Sequence, residues 1–177
     1  MRVVAGELRG RRIVAPVGTS TRPTTDKVRE ATFNALGSRD VVAGAQVVDL
    51  YAGSGAIGIE ALSRGADHCT FVERDRDALR ALRSNLDALG LNDRSRIVGG
   101  DVLAVAAAVD ADLVFADPPY DFAAWDRLLD SVRAPFVVAE SGTELHAPAG
   151  SPGGLPHGFT ITRSKRYGRT WVTFFER

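Results

Sequence analysis

The chain has 177 residues, 45% hydrophobic and 25% charged, with 22 Lys/Arg balancing 22 Asp/Glu, which is the composition of a globular protein of one domain and at most a small appendage. Its only cysteine, Cys69, excludes an intrachain disulfide and a cysteine zinc cluster. No apolar run reaches the roughly 18 residues of a membrane helix, and Met1–Glu7 lacks the apolar stretch of a signal peptide, so a cytoplasmic protein is expected.

The zero net charge conceals an asymmetry. Residues 1–30 carry seven Lys/Arg against three Asp/Glu, and residues 157–177 carry five against one. The middle holds 10 basic and 18 acidic residues. Two basic ends around an acidic middle suit phosphate contacts beside a small-molecule site, although arginines that merely solvate a hairpin would look the same.

In chain order, residues 2–15 alternate loosely around Gly6 and Gly10 and predict a small basic hairpin. Pro16, Gly18 and Pro23 mark a linker. A helix is predicted to start at Thr24 or Thr25, with Asp26 in its first turn and Val28, Ala31, Thr32, Ala35 and Leu36 on its inner face, and to stop at Gly37. From Gln46 strands and helices alternate: strand 46–51, helix 56–64, strand 68–73, helix 77–89, strand 96–98, a short alanine-rich helix, strand 113–116, helix 122–132 and strand 136–139. This alternation predicts an α/β fold with a doubly wound, mostly parallel sheet. Residues 142–158 hold five glycines and three prolines, which argues against a long helix there. An antiparallel hairpin of 159–163 and 170–175 closes the chain around Lys165-Arg166-Tyr167-Gly168. The domain division expected is a hairpin and linker over 1–23 and one domain over 24–177.

Two motifs carry chemistry. The first is Asp49-Leu50-Tyr51-Ala52-Gly53-Ser54-Gly55-Ala56-Ile57-Gly58. Its glycines let a ligand approach the backbone at a strand-to-helix turn, as in dinucleotide sites, and Glu73 stands where a ribose ligand is expected. An NAD-dependent oxidoreductase is therefore one reading. S-adenosylmethionine is favoured because Asp49, before the turn, suits a cationic amino group and opposes a pyrophosphate. Glu73 can accept from ribose hydroxyls and Asp101 from an adenine amine, and with Asp49 these acids stand at three successive strand ends on one sheet edge. Tyr51, Arg74 and Val102 flank these positions and join the candidate cofactor set.

The second motif is Asp117-Pro118-Pro119-Tyr120. An exocyclic amine on a base is a poor nucleophile because its lone pair is delocalised into the ring. Acceptors on its two hydrogens favour a pyramidal nitrogen with the lone pair aimed at a methyl donor. The Asp117 carboxylate and the Pro118 carbonyl can be those acceptors, held by Pro118 and Pro119. Tyr120 can stack on an extruded base. Cys69 falls inside a strand and is expected in the core, which excludes a covalent cysteine mechanism. His68, His146 and His157 show no metal spacing. The motifs alone leave guanine N2 and adenine N6 both open, on RNA or DNA, and a silent RNA-binding assembly factor remains a further alternative.

At these residues the chain resembles the bacterial RsmD-type 16S rRNA guanine-N2 methyltransferases. The resemblance covers Gly6-Glu7-Leu8-Arg9-Gly10-Arg11-Arg12, then Arg22-Pro23-Thr24-Thr25-Asp26-Lys27-Val28-Arg29-Glu30 with Phe33-Asn34, both motifs above, and Lys165-Arg166-Tyr167-Gly168. It implies a Rossmann-like class I S-adenosylmethionine-dependent fold. It implies methyl transfer to N2 of a guanine in 16S rRNA, within a small-subunit assembly particle, by a monomer without metal. It also implies that the N-terminal hairpin is a flap on the RNA side. Arg9, Arg11, Arg12, Arg22, Lys27, Arg29, Lys165 and Arg166 are the candidate RNA contacts. The 142–158 segment departs from the family pattern.

Overall fold

The computed structural model describes residues 1–16, 26–146 and 158–177. The predicted caps Thr24 and Thr25, the candidate Arg22, and residues 147–157 of the glycine- and proline-rich segment lie outside the described residues.

Seven strands form one sheet. They are β1 (Gln46–Leu50), β2 (His68–Glu73), β3 (Ser95–Gly99), β4 (Leu113–Ala116), β5 (Phe136–Ser141), β6 (Thr160–Tyr167) and β7 (Thr170–Glu176), in the order β3-β2-β1-β4-β5-β7-β6. The first five run parallel, and β7 lies antiparallel between β5 and β6. The helices are α1 (Asp26–Gly37), α2 (Ala56–Ser63), α3 (Arg76–Leu89), α4 (Val102–Val105) and α5 (Trp125–Ser131). The fold is a Rossmann-like, doubly wound sheet whose far edge is the antiparallel β7–β6 pair. No helix among the described residues is long and apolar enough to cross a membrane.

The sequence explains the layering. β4 is a continuous apolar run and β1 is buried from Val47 to Leu50, because both faces of a central parallel strand are covered. α3 starts where the Asp75 carboxylate accepts from the Asp77 and Ala78 N–H groups, at 3.0 and 2.8 Å, and stops at Gly90 in the left-handed region. Ala78, Leu82, Leu86 and Leu89 bury one face. Cys69 lies in the core and burial pushes its thiol pKa up, as expected of a packing residue. Gly58 has no room for a side chain, since a Cβ there would lie 2.3 Å from Phe71 Cε1 and 2.6 Å from Cys69 Sγ.

The N-terminal hairpin is held by one antiparallel bridge, Arg2 with Arg12. It docks on α2. Val4 and Ala5 donate their N–H groups to Glu60 Oε2 and Oε1 at 2.8 and 3.0 Å, and Leu8 donates to Ser63 Oγ at 3.0 Å. Val3 and Ile13 join the same core cluster as α1, α2 and β1. Gly6 sits so close to Ser63 that a Cβ would fall 1.8 Å from its carbonyl oxygen.

Several boundaries and one helix face differ from expectation. The helix predicted over 122–132 starts only at Trp125, because Phe122 donates its N–H to the Pro119 carbonyl at 2.9 Å and closes a turn. β3 extends to Ser95 and Gly99 through its pairing with β2. β6 runs on to Tyr167, so the connecting turn is Gly168-Arg169 and Lys165 and Arg166 are strand residues. On α1 the buried face is rotated: Arg29 and Phe33 are buried, while Ala31 is only partly so.

Candidate active site at the carboxyl edge of the sheet

Parallel register sets the site. Leu50 pairs with Val72 and Ala116, and Glu73 pairs with Gly99. Tyr51, Arg74, Asp101 and Asp117 therefore follow the ends of four strands on one edge, and β1 and β4 are adjacent there. This is the switch point of the sheet, where chains leaving β1 and β4 part to opposite directions and open a crevice. The glycine turn and the Asp117 loop face each other across it.

The turn is held from below by two carboxylates. Gly53 donates its N–H to Glu73 Oε2 at 2.8 Å. Glu73 Oε1 accepts from the Arg74 and Asp75 N–H groups at 2.7 and 2.8 Å. Gly58 donates to Asp49 Oδ2 at 2.9 Å. Gly53, Gly55 and Tyr51 all have positive φ, at 56°, 81° and 63°. For a tyrosine that conformation is strained, which is characteristic of backbone at a functional site. The Tyr51 ring packs edge-on against Phe122 at 5.7 Å. Burial and the nearby Asp101 charge raise the Tyr51 pKa, against Arg74.

The carboxylates feel one another. Burial pushes the Asp49 pKa up to about 7, opposed by the Gly58 hydrogen bond and reinforced by the charges of Asp117 and Glu73. Such a field favours a cationic ligand and disfavours a pyrophosphate. The donor set thus fits S-adenosylmethionine. Gly53 offers an open cradle, since the nearest atom to a Cβ there is 3.9 Å away. Glu73 borders that cradle. Asp101 accepts the Leu103 N–H at 3.0 Å and pairs with Arg74 at 3.3 Å, and remains exposed.

Three expectations need correction. Asp49 is 1% exposed beneath the turn, so it does not offer its carboxylate directly to a ligand; it orients the turn through Gly58. The Val102 side chain is packed in the core and is not offered to a ligand. Arg29 is 1% exposed and cannot touch a phosphate. Its guanidinium bonds the Arg2 carbonyl and pairs with Asp26 and Glu60, which places it inside the hairpin's seat.

In the second motif Asp117 is half-buried, and its N–H points at the Leu50 carbonyl at 3.4 Å. Pro118 is buried. Tyr120 is 60% exposed, yet its hydroxyl shares a hydrogen bond with Thr170 Oγ1 at 3.0 Å. Gly142 gives the ring its room, because a Cβ there would lie 2.9 Å from Tyr120 Cδ1. An aromatic ring held at its tip and open to solvent has a face on which a planar group can stack. Thr170, Gly142 and Phe122 were not marked in the sequence; their only signals were an aromatic beside the prolines and a glycine at a strand end.

Of the basic candidates, Arg9, Arg11, Arg12 and Lys27 are exposed. Arg11 donates to the Ala88 carbonyl near the end of α3 at 2.8 Å. Lys165 and Arg166 are exposed on β6, close in sequence to the turn that leads into Thr170.

The buried Asp49 makes a stability prediction. Its folded pKa of about 7 lies above its unfolded 3.8, so the folded state holds the proton more tightly. The stability this contributes is full below the unfolded pKa and is lost as pH rises to about 7. Asp49→Asn keeps an acceptor for Gly58 and has no proton to lose. Relative to the parent, the variant should therefore gain roughly 3 kcal/mol between pH 5 and pH 8 in urea unfolding. A difference that does not change between those pH values would show that Asp49 is not held protonated.

The family model described as "Conserved hypothetical protein 95" matches residues 1–176. Ribosomal RNA small subunit methyltransferase D of Escherichia coli (strain K12) is 40% identical over 186 residues, spanning 100% of this chain and 90% of that protein. The protein of the same name from Haemophilus influenzae is 34% identical over 127 residues, covering 69% and 65% of the two chains. Among solved structures, a hypothetical protein from Thermus thermophilus superposes with a TM-score of 0.81 at 30% identity, covering 100% of this chain and 99% of the other.

Proposed function

This chain belongs to the RsmD-type methyltransferase family, and from that premise we propose that it methylates 16S rRNA, using S-adenosylmethionine, at the exocyclic N2 of a guanine. The observation that carries the reading is the placement of the Asp117 loop beyond β4, directly beside the glycine turn beyond β1.

S-adenosylmethionine, when bound, supplies an electrophilic methyl group on a sulfonium. The chain's own residues do the rest. Glu73 and the glycine turn hold the ribose side of the donor. Asp117 accepts one hydrogen of the target amine and the Pro118 carbonyl accepts the other, which turns the nitrogen lone pair toward the methyl group. The two prolines keep both acceptors aimed, so most of the acceleration comes from positioning. Tyr120 stacks on the extruded base. The nitrogen releases a proton after transfer, so no strong base is required.

Arg9, Arg11, Arg12, Arg22, Lys27, Lys165 and Arg166 are the proposed phosphate contacts, each contributing about one charge to the salt dependence of binding. The proposed substrate form is a small-subunit assembly particle in the cytoplasm, engaged by a monomer. A deletion strain tests the reading. Its 16S rRNA should lack one N2-methylguanosine, restored by the parent gene and not by Asp117→Ala. Loss of an N6-methyladenosine instead would retain the chemistry and change the target base. An unchanged nucleoside profile would contradict the reading.

A further inference from the structure

The buried face of α3 is leucine and alanine with one exception. Asn85 is 2% exposed and sits in that stripe. Its amide is saturated: Nδ2 donates to the Val14 and Ser54 carbonyls, each at 2.9 Å, and Oδ1 accepts the Val14 N–H at 2.9 Å. A flipped amide would set oxygen against two carbonyls, so this orientation is fixed. Ser54 is the residue between Gly53 and Gly55, both in the left-handed region. The peptide that joins Ser54 to Gly55 is held at both ends: its N–H donates to the Ala52 carbonyl at 2.7 Å, and its carbonyl accepts from Asn85 at 2.9 Å, the one side-chain bond of the two. The same amide holds the end of the N-terminal arm.

We propose that Asn85 is a positioning residue for the methyl donor, setting the peptide orientation of the glycine turn and tying that turn to the arm at Val14. The inference rests on the reading that the turn receives S-adenosylmethionine. A polar side chain in a leucine stripe is retained only where its bonds are satisfied, and here two of the three go to the arm and one to the turn.

The test is calorimetric binding of S-adenosylhomocysteine to the full chain. Asn85→Ala removes the amide and leaves the Ser54 and Val14 carbonyls without it, so the dissociation constant should rise about tenfold. In steady state the KM for the donor should rise while kcat at saturation stays within about twofold. Asn85→Asp gives a readout that mere loosening would not. Its ionised carboxylate repels both carbonyls at pH 8, whereas the protonated form can donate to one. The ratio of its dissociation constant to the parent's should therefore fall as pH drops from about 8 to about 5.5, and the Asn85→Ala ratio should not. Ser63→Ala loosens the hairpin on α2 without touching Ser54 and should bind as the parent does.

If the parent binds and both Asn85 variants bind equally well, the inference is overturned. Equal weakening in Ser63→Ala would also overturn it, because the effect would then be structural. If the parent itself does not bind S-adenosylhomocysteine, the donor reading fails and this inference with it.

Discussion

Asp117→Ala lowers the turnover of methyl transfer about a thousandfold, within the range for losing a positioned polar group at the reacting atom. The variant still folds, because Asp117 lies in the loop beyond β4 and its backbone N–H keeps its place at the Leu50 carbonyl. It still binds S-adenosylhomocysteine, with a dissociation constant within about threefold of the parent, since an interaction made only with the reacting amine affects kcat and not donor binding. Asp117→Asn retains one acceptor oxygen and should fall between the two. Single-turnover rates on 16S rRNA substrate, with calorimetry for the donor, separate these outcomes. An Asp117→Ala variant that turns over at the parent rate would remove the loop from the mechanism.

Glu60→Ala has the largest expected effect on stability. The Glu60 and Arg29 side chains are both fully buried, and their ion pair spans 3.4 Å. The same carboxylate accepts the Val4 and Ala5 N–H groups and pairs with Arg64 at 2.7 Å. Removing it leaves the buried Arg29 guanidinium with Asp26 and the Arg2 carbonyl, and strands two backbone donors. A loss of about 4 kcal/mol is expected, the scale for breaking a buried ion pair by removing one partner. Arg29→Met with Glu60→Met should recover part of that loss, because an apolar pair of similar volume carries no stranded charge. Urea unfolding at neutral pH reads both. A Glu60→Ala loss below about 1 kcal/mol, the scale of an exposed ion pair, would mean that the hairpin's seat does not depend on this network.

The candidate site was legible in the sequence where its motifs were local. A glycine turn behind a strand and an acid-proline-proline-tyrosine loop behind another keep their meaning in one dimension, and the alternation of strands and helices brings them to one edge. Gly90 marked the stop of α3 by a capping rule that acts within a few residues. What stayed hidden were polar groups committed inward. Arg29 lies among exposed basic neighbours in a motif, so its charge read as surface. Its spacing to Thr32, Phe33 and Leu36 was nevertheless that of one helical stripe. Glu60 stands in a helix whose residues are all buried, and Asn85 stands in a leucine stripe. Each signalled a buried partner without naming it, because the long-range partners are 27 to 71 residues away. Asp49 read as a ligand group because strand-end acids usually face the crevice; its burial follows from Gly58 folding over it.

The most direct test of the account is transfer of label from S-adenosylmethionine by the purified protein to small subunits from a strain lacking its gene, with nucleoside analysis of the 16S rRNA. The account predicts label in N2-methylguanosine, at one site, and none with Asp117→Ala. Absence of label, from protein that binds S-adenosylhomocysteine, would contradict it.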